Sequence, residues 1–127
     1  MSPIFLNLLW LVPIATWLAT RNKTQIIKST ARGFSLGLVI SPASLGLYTL
    51  YFVNPITALL GIVGLVIISI HSSVGYPVAV ALDIIPAQVL AGTDRIIVEV
   101  INAVFWSLIY GFVGYLIGYY KIKHKKL

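Results

Sequence analysis

Apolar runs separated by short polar segments divide the chain into about four stretches of membrane-crossing length. These runs cover residues 3–20, 34–53, 56–74 and 95–120. A helix of about 20 apolar residues crosses a hydrocarbon core of about 30 Å with its backbone hydrogen bonds satisfied internally. The pattern therefore predicts an all-α polytopic integral membrane protein. We expect a bundle of about four transmembrane helices, with residues 1–127 forming a single transmembrane domain.

The last run organises this prediction, because residues 96–120 carry one formal charge, Glu99, and a basic tail at 121–127 follows. Small residues recur at spacings of three and four along one face of the predicted helix: Ala103, Ser107, Gly111, Gly114 and Gly118. Gly33 and Gly37 repeat the spacing near the second run. Small residues allow the backbones of two membrane helices to approach closely. We predict a helix-packing interface here, with Glu99 at the head of the stripe, and assign it to docking on another protein.

The segment at residues 71–95 is irregular. Gly75-Tyr76-Pro77 and Ala91-Gly92-Thr93 bracket a run of roughly 15 residues, which is short for a crossing of about 20 residues. This segment is predicted to be a helix on the membrane surface, a re-entrant segment or a thin fifth crossing. The pattern does not choose among the three.

Charge is concentrated in two blocks that flank apolar runs. The first lies in a polar connector at residues 21–33, and the second is the tail. The predicted lipid head-group contacts are Arg21, Lys23, Lys28, Arg32, Lys121, Lys123, Lys125 and Lys126. Four crossings place the two blocks on opposite sides, against the bias of basic residues toward the cytoplasm. A fifth crossing at 77–92, or a re-entrant half within 34–70, places them together. We expect four helices and a cytoplasmic tail.

Composition excludes several classes of protein. Hydrophobic residues make up 59% of the chain and charged residues 9%, against about 25% charged in soluble domains. The chain has no cysteine, so neither a disulfide nor a thiolate metal site can form. The net charge of +6 accompanies no nucleic-acid recognition motif, and no catalytic motif is present. We expect no enzyme activity, no cofactor, no metal and no nucleic-acid partner.

Four ionisable residues within or beside the apolar runs are candidate polar or ion contacts: His71, Asp83, Arg95 and Glu99. Burial of such groups in a membrane is expensive, which makes each one a functional hypothesis. Glu99 lies one helical turn after Arg95, so the two side chains can share a helix face. Glu99 is predicted to be either a proton or cation relay group or a polar clamp to a partner helix. For Asp83 the alternatives are cation coordination and a solvent-facing position.

Two function classes remain open. The first is a small non-catalytic accessory or structural subunit of a larger membrane complex, packed through its small-residue faces. The alternative is a small homo-oligomeric transporter, channel or membrane-permeabilising protein that uses Asp83 and Glu99. The expected partners are the lipid bilayer and either other integral membrane subunits or a second copy. The final helix resembles in composition many small prokaryotic membrane proteins, which implies a prokaryotic cytoplasmic membrane.

Overall fold

The computed structural model describes residues 3–87 and 92–124, with side chains from residue 6 onward. Those residues form α-helices and turns, and no strand occurs among them. The helices are α1 (Pro3–Leu8), α2 (Leu11–Ala19), α3 (Gln25–Thr49), α4 (Pro55–His71), α5 (Gly75–Ala81) and α6 (Thr93–His124), with a 3₁₀ turn at Leu50–Phe52 after α3.

Three helical stretches are long and apolar enough to cross a membrane, namely Gln25–Phe52, Pro55–Ala81 and Thr93–His124. A shorter apolar helical stretch covers Leu6–Ala19. The predicted all-α membrane bundle of about four apolar helices is therefore confirmed.

The first apolar run is interrupted between α1 and α2. Pro13 has no N–H to donate and its ring clashes with the carbonyl four residues earlier, which belongs to Leu9. The chain forms a turn at residues 9–10, and the N–H of Val12 donates to the Leu9 carbonyl at 3.0 Å. This hydrogen bond spans three residues, whereas those of an α-helix span four, and it lies at the start of α2.

The connector predicted at residues 21–33 is mostly helical. Only residues 20–24 connect α2 to α3, and α3 begins at Gln25. The reason is packing: a Cβ on Gly118 would lie 2.8 Å from the Cα of Ile26, and one on Gly33 would lie 2.8 Å from the carbonyl carbon of Tyr110. The basic first turns of α3 thus rest on α6, and this contact extends the helix beyond its apolar run.

Helix α3 is the centre of the bundle and runs antiparallel to both of its long neighbours. Its start lies against the end of α6, where Gly114 and Gly118 face Ser29. Helices α1 and α2 pack along α3 in the opposite direction, with Asn7 beside Gly46 and Thr20 beside Arg32. The described cations of both basic blocks consequently lie at the same end of the bundle.

The polypeptide turns back after α4. His71, at the end of α4, contacts Trp106 and Tyr110 of α6, whereas Gly75 at the start of α5 contacts Val98 and Asn102. The chain therefore proceeds from residue 71 toward the beginning of α6, away from the basic end.

The returning segment is held by a small apolar cluster. Ala79 and Ile85 are buried against Val98 of α6. Residues 75–85 therefore pack back against the first turns of α6, and the three alternatives for 71–95, of which residues 88–91 lie outside the described part, stay predictions.

Candidate functional site

A carboxylate and a serine form the polar contact between α3 and α6. The Ser41 hydroxyl donates to Glu99 Oε2 at 2.7 Å, and Ser41 is fully buried whereas Glu99 is half-buried. The Ser44 hydroxyl in turn donates to the Ser41 carbonyl at 2.7 Å. This contact holds the Glu99 side chain against α3.

His71 fastens the end of α4 to α6. Its Nδ1 lies 2.8 Å from the Ile67 carbonyl, which only accepts, so Nδ1 carries the hydrogen. In the neutral ring, Nε2 then accepts from the Tyr110 hydroxyl at 2.7 Å. The Trp106 indole N–H donates to the His71 carbonyl at 2.8 Å. These three bonds hold the turn that follows α4 in a fixed position.

Asn102 fastens the start of α5 and is fully buried. Its Oδ1 accepts from the N–H of Gly75 at 2.6 Å. A Cβ on Gly75 would meet the Val98 carbonyl oxygen and the Asn102 side chain, so only glycine fits this approach. The Asn102 Nδ2 has no partner, and neither has the buried Ser72 hydroxyl. A buried donor without a hydrogen-bond partner costs free energy. This region therefore contains polar groups that its own hydrogen bonds do not satisfy.

A cleft of about 500 Å³ opens beside these residues, between the end of α4, the turn at 72–74, α5 and the first turns of α6. Its polar lining consists of Ser69, Ser72, Ser73, Tyr76, Arg95 and Glu99. Ser69, Ser73 and Arg95 are exposed, so the cleft is open to its surroundings.

Three of the four predicted ionisable contacts meet here. Glu99 and Arg95 line the cleft, and His71 is buried at the adjoining turn. Asp83 lies apart from the cleft lining, in the exposed turn after α5, with a left-handed φ of 54°. The described residues contain no group of three or more His, Cys, Asp or Glu side chains that could hold a metal ion.

The predicted small-residue interface lies between α3 and α6 of the same chain. Ser107, Gly111, Gly114 and Gly118 are buried and Ala103 is half-buried, with Gly33 and Gly37 facing them from α3. The stripe is therefore occupied internally. The sequence predicts that this close contact serves docking on another protein, but α3 of the same chain makes it. A partner protein would have to bind another surface.

The predicted lipid contacts differ in their exposure. Arg21, Lys23, Lys121 and Lys123 are exposed and Lys28 is half-buried, while Lys125 and Lys126 lie outside the described residues. Arg32 differs, since its guanidinium lies 5.1 Å from the Trp17 ring centroid and its Nη2 donates to the Trp17 carbonyl at 3.2 Å. Arg32 therefore joins α2 to α3 as well as adding charge to the basic end.

Asn102, Trp106 and Tyr110 were missed as polar-site residues in the sequence. Asn102 offers the clearest signal, because it is the only amide side chain in residues 96–120 and lies three positions after Glu99, on the same helix face. Tyr110 and Trp106 look like ordinary interfacial aromatics until His71 is placed beside them. In comparisons with protein families, characterised proteins and solved structures, nothing matches this chain.

Proposed function

We propose that the protein is a small non-catalytic accessory subunit of a larger membrane complex. The observation that carries this proposal is the closed contact between α3 and α6. A Cβ on Gly33, Gly37, Gly114 or Gly118 would overlap the backbone of the facing helix, whereas one on Gly111 would make an ordinary contact. No room remains between the two helices for a polar route from the cleft to the basic end, so one copy is suited to a structural role.

The same proposal places the basic end in the cytoplasm of a prokaryotic cell. Both basic blocks lie at that end, and Arg95 remains near the other end of α6 beside Asp94. Basic residues near membrane helices favour the cytoplasmic side and attract anionic head groups. The arrangement of the helices supports this orientation without a conflict between the two blocks.

Photo-cross-linking in native membranes tests the accessory role. A photoreactive amino acid is placed at Leu108 on α6, at Leu60 on α4 or at Trp17 on α2, whose side chains are 62%, 52% and 48% exposed. We expect discrete adducts with another membrane protein from at least one helix, and a stoichiometric complex in mild detergent. Lipid adducts alone from all three positions, with recovery of the free chain, would contradict the proposal.

A second candidate is a homo-oligomeric transporter, channel or permeabilising protein, and the cleft favours it. Glu99 is a half-buried carboxylate beside an open polar cleft within an apolar bundle. A pathway would then run between copies, because the α3–α6 contact closes the route inside one.

Ion flux into liposomes that contain only this protein tests the second candidate. We expect flux that Glu99→Gln abolishes. Asp83, which the sequence predicts to be part of the same pathway, lies outside the cleft lining, so this candidate rests on Glu99 and Asp83→Asn is the matched control. Leak no greater than in empty liposomes would exclude this candidate.

A further inference from the structure

We propose that the cleft beside Glu99 binds a small zwitterion that carries a primary ammonium group next to an anionic group. Neither function above requires this ligand. The inference stands on the hydrogen-bonding groups that the fold leaves unused around the cavity and on the order of its two charged residues.

The cleft lining is rich in hydrogen-bond acceptors. Glu99 Oε2 accepts a hydrogen bond from the Ser41 hydroxyl, and the second carboxylate oxygen takes no part in that bond. The hydroxyls of Ser69 and Ser73 donate to the carbonyls of Val66 and Ile70, at 2.8 and 2.7 Å, so their oxygens keep lone pairs to offer. The buried Ser72 hydroxyl has no partner. A primary ammonium has three N–H donors and no acceptor, which this set matches.

Arg95 adds a positive charge to the cleft lining. Arg95 is exposed and lies one turn before Glu99 on α6, a rise of about 6 Å along the helix. A guanidinium binds carboxylate or phosphate oxygens through paired hydrogen bonds. An ammonium and an anion joined by a short linker, such as the four bonds from nitrogen to phosphorus in phosphoethanolamine, therefore fit the order of charges along the cleft.

Cavity size distinguishes a zwitterion from a bare cation. A volume of about 500 Å³ lies within the range of small-molecule sites. A monovalent cation would leave the Arg95 charge unbalanced. An aminophospholipid head group and a soluble amino compound such as phosphoethanolamine share the required chemistry.

The experiment uses the full chain in nanodiscs of phosphatidylcholine, whose trimethylated ammonium has no N–H to donate. Replacement of part of that lipid by phosphatidylethanolamine exchanges the three N-methyl groups of the head group for three N–H donors and leaves its net charge unchanged. We expect a higher midpoint of thermal unfolding with phosphatidylethanolamine. In a second arm, soluble phosphoethanolamine is titrated into phosphatidylcholine discs, with phosphocholine as its methylated control.

Variants locate the site. Glu99→Gln is expected to weaken binding about tenfold or more, because a charge-assisted hydrogen bond is lost. Asp94→Asn removes a carboxylate on the same helix that does not line the cleft, and we expect it to bind as the unaltered chain does. Arg95→Gln is expected to weaken the binding of phosphoethanolamine but not that of ethanolamine, because ethanolamine has no anionic group.

Each outcome decides the proposal. A response to the phosphatidylethanolamine lipid alone identifies a head-group site, and a response to soluble phosphoethanolamine identifies a soluble ligand; both support the inference. Equal midpoints for the ammonium and trimethylammonium forms in both arms would overturn it, and that comparison needs no variant to fold. A preference that persists in Glu99→Gln would overturn it as well.

Discussion

The contact between α3 and α6 predicts opposite effects for the same substitution at two glycines. In Gly37→Ala the new Cβ would lie 2.6 Å from the Cα of Ser107 and closer still to the carbonyl oxygen of Trp106. Ordinary van der Waals contact begins at 3.4 Å, and both obstacles are backbone, so the helices must separate. In Gly111→Ala the nearest atom is the Phe34 Cβ at 3.5 Å, which is an ordinary contact.

The expected magnitudes follow from these distances. Overpacking of a closely packed interface costs about 1–3 kcal/mol, and separation of two backbones lies at the upper end of that range. Gly111→Ala gains the helix preference of alanine over glycine, about 0.5–1 kcal/mol, without a steric penalty. Gly37→Ala is therefore expected to unfold more readily than the unaltered protein, and Gly111→Ala is expected to match or exceed its stability.

Reversible unfolding in mixed micelles, followed by tryptophan fluorescence, measures the free energy of unfolding for both variants. Trp106 lies at this interface and reports on it directly. Equal stability of the two variants would refute the close approach of α3 and α6 at Gly37. A less stable Gly111→Ala would show that the stripe faces a different neighbour at that point.

Substitutions at three further positions are measured by the same unfolding assay. Tyr110→Phe leaves the Nε2 of buried His71 without its donor and should cost about 1–3 kcal/mol; an unchanged value would contradict the His71–Tyr110 hydrogen bond. Asn54→Ala removes the side chain that caps α4 by accepting from the N–H groups of Ile56 and Thr57, and should cost about 1 kcal/mol, while Asn54→Asp retains the cap. Asp83→Val should cost about 1–2 kcal/mol because φ is 54°, and Asp83→Gly should be near neutral; the reverse order would contradict that backbone conformation.

The membrane class and the helical content follow from the sequence because they depend on local hydrophobicity. Runs of apolar residues without charge specify helices in a bilayer whatever those helices pack against. The glycine spacing similarly predicts a close helix contact. It cannot identify the neighbour, since a stripe that suits another subunit also suits an antiparallel helix of the same chain.

The candidate site depends on pairings between distant segments, and these are harder to predict. Ser41 and Glu99 are 58 positions apart, and His71 and Tyr110 are 39 apart. No local pattern brings them together. The turn at 72–74 is also non-local in origin, because the hydrogen bonds from Trp106 and to Asn102 hold the chain on either side of it.

The turn after α4 accounts for the charge pattern that a count of four crossings could not. In the topology that we propose, α4 and α5 enter and leave on one side, and α1–α2, α3 and α6 extend between the two ends of the bundle. The two basic blocks then share an end. This is the central claim about the molecule, since both the cleft and the proposed orientation follow from it.

Site-directed cysteine labelling in sealed vesicles tests that claim most directly, because the chain has no native cysteine. Cysteines replace Lys23 and Lys123 at the basic end, and Val53 and Leu82, which are 65% and 64% exposed, on either side of α4 and α5. We expect an impermeant maleimide to label positions 23 and 123 from one side, and positions 53 and 82 from the other. Labelling of 53 and 82 from opposite sides, or of 23 and 123 from opposite sides, would contradict the turn-back of the chain after α4.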